Sequence, residues 1–66
     1  MQYFIDLPRY WAYVHFDNGD KLSVANTDTL TRKEAEEYKR EWSHKGNINR
    51  VTLETHNGKL LASYDI

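Results

Sequence analysis

Histidines, cysteines and clustered carboxylates are the side chains through which small proteins most often bind metals or catalyse reactions. The chain has three histidines, His15, His44 and His56, and no cysteine. The histidines are widely spaced, whereas zinc motifs in short sequences bring their ligands together in close pairs. The sequence therefore predicts unrelated surface or turn histidines, no metal ligand and no disulfide.

The acidic residues show no catalytic pattern either. Asp17, Asn18 and Asp20 resemble a fragment of a calcium loop, but the closing glutamate of that loop is missing and turn chemistry accounts for them. The remaining clustered carboxylates stand among lysines and arginines, as on a solvated helix face; they are Glu34, Glu36, Glu37 and Glu41. Nucleophile-elbow and phosphate-loop motifs are also absent from the sequence. We therefore expect no catalytic residue, no cofactor and no enzymatic activity.

Length and composition narrow the function further. The chain has 66 residues, with 9 basic and 10 acidic side chains and a net charge of −1. A substrate pocket of roughly 300 Å³ would take up much of the hydrophobic core of a domain this small, which disfavours an enzyme. The balanced charge disfavours a dedicated nucleic-acid-binding protein. We expect one domain over residues 1–66, located in the cytoplasm, with no membrane span and no signal peptide.

The elements that would position any functional side chain begin with a hairpin. The aromatic and β-branched run Tyr10–Phe16 is the strongest strand signal, and a return strand over Lys21–Ala25 follows the turn at residues 17–19. The short run Tyr3–Ile5, closed by Pro8, predicts an additional edge strand.

Two registers compete in this hairpin, and hydrophobic patterning favours one of them. A three-residue turn with a bulge at Gly19 pairs Val14 with Leu22 and Ala12 with Val24. This register produces a continuous apolar face; its members are Tyr10, Ala12, Val14, Phe16, Leu22 and Val24. A shift of one residue would send every side chain to the opposite face, so the register with the coherent apolar face is preferred.

A helix and a second hairpin complete the predicted fold. Thr31 and Glu34 form a capping box, and the helix should run from residue 32 to His44 or Lys45. Its narrow apolar stripe can cover only one face of the sheet; the stripe consists of Ala35, Tyr38 and Trp42.

The second hairpin has strands at residues 48–55 and 59–66, joined by a two-residue Asn57-Gly58 turn. This turn pairs Leu53 with Ala62 and Val51 with Tyr64. Leu60 is predicted on the same apolar face as these residues. The fold class is therefore α+β, with one helix on an antiparallel sheet of four or five strands in the order ββαββ.

The preferred register leaves an aromatic stripe, formed by Trp11, Tyr13 and His15, on the face that the helix does not cover. Exposed apolar patches on small proteins usually mark interaction surfaces, and Trp and Tyr are enriched at binding hot spots. A polar rim is expected around the stripe from Lys21, Arg50 and Glu54. Two alternatives are that these rings form the core under the helix and that they serve only as a dimer contact.

The N-terminal part resembles the arm-type DNA-binding domain of phage and transposon integrases. The resemblance lies in residues 11–16, in the turn at Gly19 and in the run Leu30–Glu36. It implies a sheet that enters the major groove of DNA. Arg9, Lys21 and Arg50 would then contact phosphates.

The layout as a whole resembles the small proteins that phages carry against host defences, including anti-CRISPR proteins. The features that carry this resemblance are the helix at residues 31–45 and the hairpin at residues 51–62. It implies a phage or mobile-element inhibitor that occludes a surface on a host protein or nucleoprotein complex in the bacterial cytoplasm. The competing functions are a DNA-binding accessory domain and a structural homodimer.

Overall fold

Four antiparallel strands and one helix make up the part of the chain that the computed structural model describes, residues 10–66. The elements are β1 (Tyr10–Phe16), β2 (Lys21–Asn26), α1 (Arg32–Trp42), β3 (Ile48–Thr55) and β4 (Leu60–Asp65), and the sheet order is β2-β1-β3-β4. The predicted α+β class and the ββαββ order are confirmed. The edge strand predicted at residues 3–5 lies outside the described residues.

The first hairpin has the predicted register close to its turn. Val14 lies opposite Leu22, and the Phe16 N–H donates to the Asp20 carbonyl oxygen at 2.9 Å. Farther from the turn, Ala12 lies opposite Ala25 rather than Val24, so that pairing was predicted wrongly. The reason is a β-bulge that inserts one extra residue into β2, which a continuous hydrophobic pattern does not reveal.

The second hairpin has the predicted register beyond its turn, although the turn itself differs from the prediction. Its turn contains three residues rather than two, because the Thr55 N–H donates to the Lys59 carbonyl oxygen at 2.9 Å. A bulge at Leu61 then restores the predicted pairs Leu53–Ala62 and Val51–Tyr64. The prediction for Leu60 is wrong, because this residue lies opposite Glu54 and is 56% exposed.

Helix α1 begins at the predicted capping box. Thr31 Oγ1 accepts from the Glu34 N–H at 3.1 Å, and Glu34 Oε1 accepts from the Thr31 N–H at 2.9 Å. The α-helix ends at Trp42, and a 3-10 turn continues the chain over Ser43–Lys45 to Gly46. The reciprocal cap satisfies two amide groups that would otherwise have no intrahelical partner.

The Thr31→Ala variant is expected to lower the free energy of unfolding by about 1 kcal/mol, because it removes the side-chain half of the cap. Urea denaturation followed by circular dichroism measures this change. Thr31→Ser is the matched control, since serine retains the accepting hydroxyl. Equal losses in the two variants would show that the methyl group, and not the cap, is responsible.

The core lies between α1 and one face of the sheet. Its buried side chains are Val14, Leu30, Ala35, Ile48, Val51 and Leu53. Tyr64 closes one side of the core by donating its hydroxyl to the Leu30 carbonyl oxygen at 3.0 Å. Trp11 is outside this cluster and 39% exposed, so the alternative in which the aromatic stripe forms the core is wrong.

Candidate functional site

The sheet face opposite α1 carries the aromatic stripe and the polar rim that were predicted to bind a partner, whereas Arg9, a predicted phosphate contact, lies outside the described residues. We call this side of the sheet the outer face. The side chains on it that concern the site are Trp11, Tyr13, His15, Lys21, Arg50, Thr52 and Glu54. The strand register aligns them in rows: Trp11 lies opposite Glu54, Tyr13 opposite Thr52, and His15 between Lys21 and Arg50. The period-2 alternation of β1 and β3 is sufficient to produce this arrangement.

A buried carboxylate organises the outer face. Glu54 has a side chain that is only 10% exposed, and Lys21 Nζ lies 3.0 Å and 3.3 Å from its two oxygens. The Thr52 hydroxyl, 3.1 Å away, donates to Oε2 of the same carboxylate. Burying a charge without partners is costly, so these contacts are what allow a carboxylate at this position.

His15 extends the network in a defined direction. Its Nε2 lies 2.7 Å from Thr52 Oγ1, and the single hydroxyl hydrogen of Thr52 is already directed at Glu54. We infer that Nε2 carries a hydrogen and donates it to Thr52. The hydrogen bonds therefore run from His15 through Thr52 to Glu54, which is opposite to the direction needed to activate a hydroxyl nucleophile.

The environment of His15 favours the neutral ring. Burial lowers the pKa of this histidine below its ordinary value of 6.5, and the charge of Arg50 lowers it further. Glu54 acts in the opposite sense and Lys21 adds a smaller lowering effect. Because the folded state disfavours the protonated ring, folding and protonation of His15 oppose each other.

A pH dependence of stability follows from this shift. Unfolded His15 binds a proton more readily than folded His15, so the free energy of unfolding should fall as the pH drops through about 6.5. Urea denaturation between pH 7.5 and pH 5.5 should give a shallower decline for His15→Gln than for the wild type. His56→Gln, in the exposed turn of the second hairpin, serves as the control. Parallel declines in all three proteins would contradict the expected role of His15.

Lys21 connects the carboxylate to the aromatic stripe. Its Nζ lies 4.5 Å from the centroid of the Tyr13 ring, which is cation–π geometry. Tyr13 and His15 are half-buried, so Trp11 is the most exposed ring of the predicted stripe. Trp11 therefore provides the exposed ring of the stripe, while Tyr13 and His15 contact the polar network around Glu54.

Two members of this region were not predicted as site residues. Thr52 is 2% exposed and links His15 to Glu54, and its place on the outer face was the only signal in the sequence. Leu60 lies across Glu54 from Trp11 because of the bulge in β4. No local pattern in the sequence indicates that bulge.

A second polar cluster secures the turn of the first hairpin. Asp17 accepts hydrogen bonds from the side-chain amides of Asn47 and, at 2.7 Å, Asn49, which lower the pKa of this carboxyl. An open groove of about 520 Å³ lies beside it. Its lining consists of Phe16, Asp17, Asn18, Asp20, Lys21, Leu22, Lys45, Gly46 and Asn47. Lys21 is the only predicted site residue in that lining, so the groove is separate from most of the outer face.

Comparisons of the chain with protein-family models, curated proteins and solved structures found no match. Within residues 10–66, no three histidine or acidic side chains are grouped closely enough to hold a metal ion. Over the same described range, no helix has the length and apolarity to span a membrane.

Proposed function

We propose that this chain is a small non-enzymatic binding protein that uses its outer face to occlude a surface on another macromolecule. The observation that carries the proposal is the exposed pair Trp11 and Leu60, which are 39% and 56% exposed and lie on either side of Glu54. A tryptophan and a leucine exposed together form the kind of patch that marks an interaction surface. Tryptophan is also the residue type most enriched among binding hot spots.

The polar network supports this function because it fixes the surroundings of the exposed patch. Glu54 accepts from both Lys21 and Thr52, and the ammonium of Lys21 also lies over the Tyr13 ring. Side chains that are already held in place lose little conformational entropy when a partner binds. The outer face is therefore suited to recognition by a largely preformed surface.

The chemistry of the network also favours binding over catalysis. The Thr52 hydroxyl is 2% exposed and donates to Glu54, and His15 donates to Thr52 rather than accepting from it. A nucleophile would need an accessible hydroxyl whose proton moves toward the histidine. This arrangement serves as a structural support for the surface.

The proposed setting is a phage or mobile-element inhibitor, similar in form to anti-CRISPR proteins. A chain of 66 residues with a net charge of −1 is suited to blocking a surface, which needs area but no substrate pocket. The partner would be a host protein or nucleoprotein complex in the bacterial cytoplasm.

Affinity capture from bacterial lysate, with and without nuclease and read by mass spectrometry, tests the proposal. Trp11→Ala is the loss-of-binding bait, and Arg40→Ala, an exposed residue on α1, is the matched control. We expect a protein partner that survives nuclease, is retained by Arg40→Ala and is lost with Trp11→Ala. A partner retained equally by all baits would reject the assignment to the outer face.

Two other outcomes correspond to the competing functions. Recovery that nuclease abolishes would favour a DNA-binding accessory domain, and its affinity should then fall steeply with salt. A molar mass that doubles with concentration in light scattering, and that Trp11→Ala restores to the monomer value, would favour a structural homodimer.

A further inference from the structure

We propose that Arg50 and His15 form a subsite on the outer face for a carboxylate side chain of the bound protein partner. This inference rests on the proposed function and specifies the chemistry of the partner. It commits to an acidic segment that also presents an apolar side chain to Trp11 and Leu60.

The strand register creates a basic row across the sheet. Lys21 on β2, His15 on β1 and Arg50 on β3 lie side by side. Neighbouring strands are about 4.8 Å apart, so the row extends over roughly 10 Å. The row lies at the end of the outer face that is nearer to the turn of the first hairpin.

Arg50 is the cation of this row that has no acidic partner among residues 10–66. Lys21 is already paired with Glu54 at 3.0 Å. By contrast, Arg50 is exposed, and within residues 10–66 its side chain forms no hydrogen bond or salt bridge, although Asp65 lies directly opposite on β4. A planar guanidinium of this kind is well matched to a carboxylate, which it can bind through two parallel hydrogen bonds.

His15 gives the subsite its second, conditional donor. Nε2 is occupied by Thr52, and no described residue forms a hydrogen bond with Nδ1. Protonation would place a donor hydrogen on Nδ1 without breaking the bond to Thr52. A bound carboxylate would favour that protonation by offsetting the repulsion from Arg50.

The charged groups around His15 determine the sign of this coupling. Lys21 and Arg50 oppose protonation, whereas Glu54, with Oε2 at 4.0 Å from Nε2, favours it. Asp65 on β4 lies opposite Arg50 on β3, and Tyr13 on β1 also lies on the outer face. Since burial and Arg50 together outweigh Glu54, an approaching carboxylate adds negative charge that favours protonation of His15. By linkage, affinity for that carboxylate should rise as the pH falls.

The spacing of the two contact points defines the probe. Trp11 and His15 are separated by four strand positions, which corresponds to about 13 Å. An extended peptide covers this distance between positions i and i+4. The probe is therefore acetyl-Leu-Thr-Ser-Thr-Glu-amide, and the uncharged control is the same peptide with Gln in place of Glu.

The test is NMR titration of the full chain with each peptide, following the His15 ring protons and the Arg50 Nε–Hε group. We expect the Glu peptide to bind about fivefold more tightly at pH 5.5 than at pH 7.5 and to raise the titration midpoint of His15. The Gln peptide should show neither effect. Arg50→Gln should weaken binding of the Glu peptide at both pH values, and His15→Gln should remove the pH dependence, whereas the matched control Arg40→Gln on α1 should change neither.

Three results would overturn the subsite: equal binding of the two peptides, pH dependence that persists in His15→Gln, or a larger shift of the His15 midpoint with inorganic phosphate than with the Glu peptide. These results are distinguishable from failure of the proposed function. Partner capture that depends on Trp11, together with equal peptide binding, rejects only the carboxylate subsite. Partner capture that ignores Trp11 rejects the proposed function, whatever the peptides show.

Discussion

Replacing Trp11 with alanine is expected to weaken partner binding about 30-fold or more, because a buried tryptophan anchor typically contributes at least 2 kcal/mol to an interface. Trp11 is suited to this role because it is 39% exposed and lies outside the core cluster. The unfolding midpoint should change little, since no packing between α1 and the sheet is removed. Isothermal titration with the captured partner, together with thermal unfolding, measures both quantities.

Trp11→Phe separates the contribution of the ring from that of general apolar area. It should retain more affinity than Trp11→Ala, because a smaller aromatic side chain still fills part of the partner's pocket. Collapse of the fold in Trp11→Ala would mean that the residue stabilises the domain, and the binding assignment would then fail. Unchanged affinity with an intact fold would also count against it.

Removing the buried carboxylate should have the largest effect on stability. Glu54→Ala is expected to cost about 2–3 kcal/mol, because it leaves the Thr52 hydroxyl without its acceptor in a site that is 2% exposed. A domain of this size has roughly 3–5 kcal/mol of total stability, so the variant should be close to unfolding at room temperature. Urea denaturation gives the free energy directly.

A double-mutant cycle with Lys21 separates the ion pair from the hydrogen bond to Thr52. Lys21→Ala should cost less than Glu54→Ala, since the Lys21 side chain is 47% exposed and its partner retains the bond to Thr52. The two losses should not add, because both variants break the same pair. Strict additivity would show that Lys21 and Glu54 are not energetically coupled, and a Glu54→Ala variant as stable as the wild type would show that the network does not stabilise the fold.

Much of the fold and the grouping of the site residues could be predicted because hydrophobic alternation determines which side of a strand is buried. Val14 and Val51 had to face the helix, and this placed His15 and Arg50 on the outer face. The bulges at Val24 and Leu61 could not be predicted, since an extra residue in one strand depends on local backbone geometry. That is why the face of Leu60 was predicted wrongly and why its proximity to Trp11 was missed.

The burial of the site residues and the contacts between their side chains could not be predicted from the sequence either. Glu54 was expected on a polar rim, yet it is 8% exposed as a residue. Its burial depends on Lys21 and Thr52 reaching it at the same time, which requires three strands in register. Arg50 and Asp65 lie opposite each other in the register, but this adjacency did not produce a salt bridge between them.

The bulges have a further consequence for how the protein behaves at high concentration. Among residues 10–66, β2 and β4 are the outer strands of the sheet, and each carries one extra residue, at Val24 and at Leu61. An irregular edge offers a poor template for hydrogen bonding to a strand of another molecule, so sheets do not readily extend into fibrils. The sheet of residues 10–66 can therefore expose Trp11 on its face while its irregular outer strands disfavour edge-to-edge pairing.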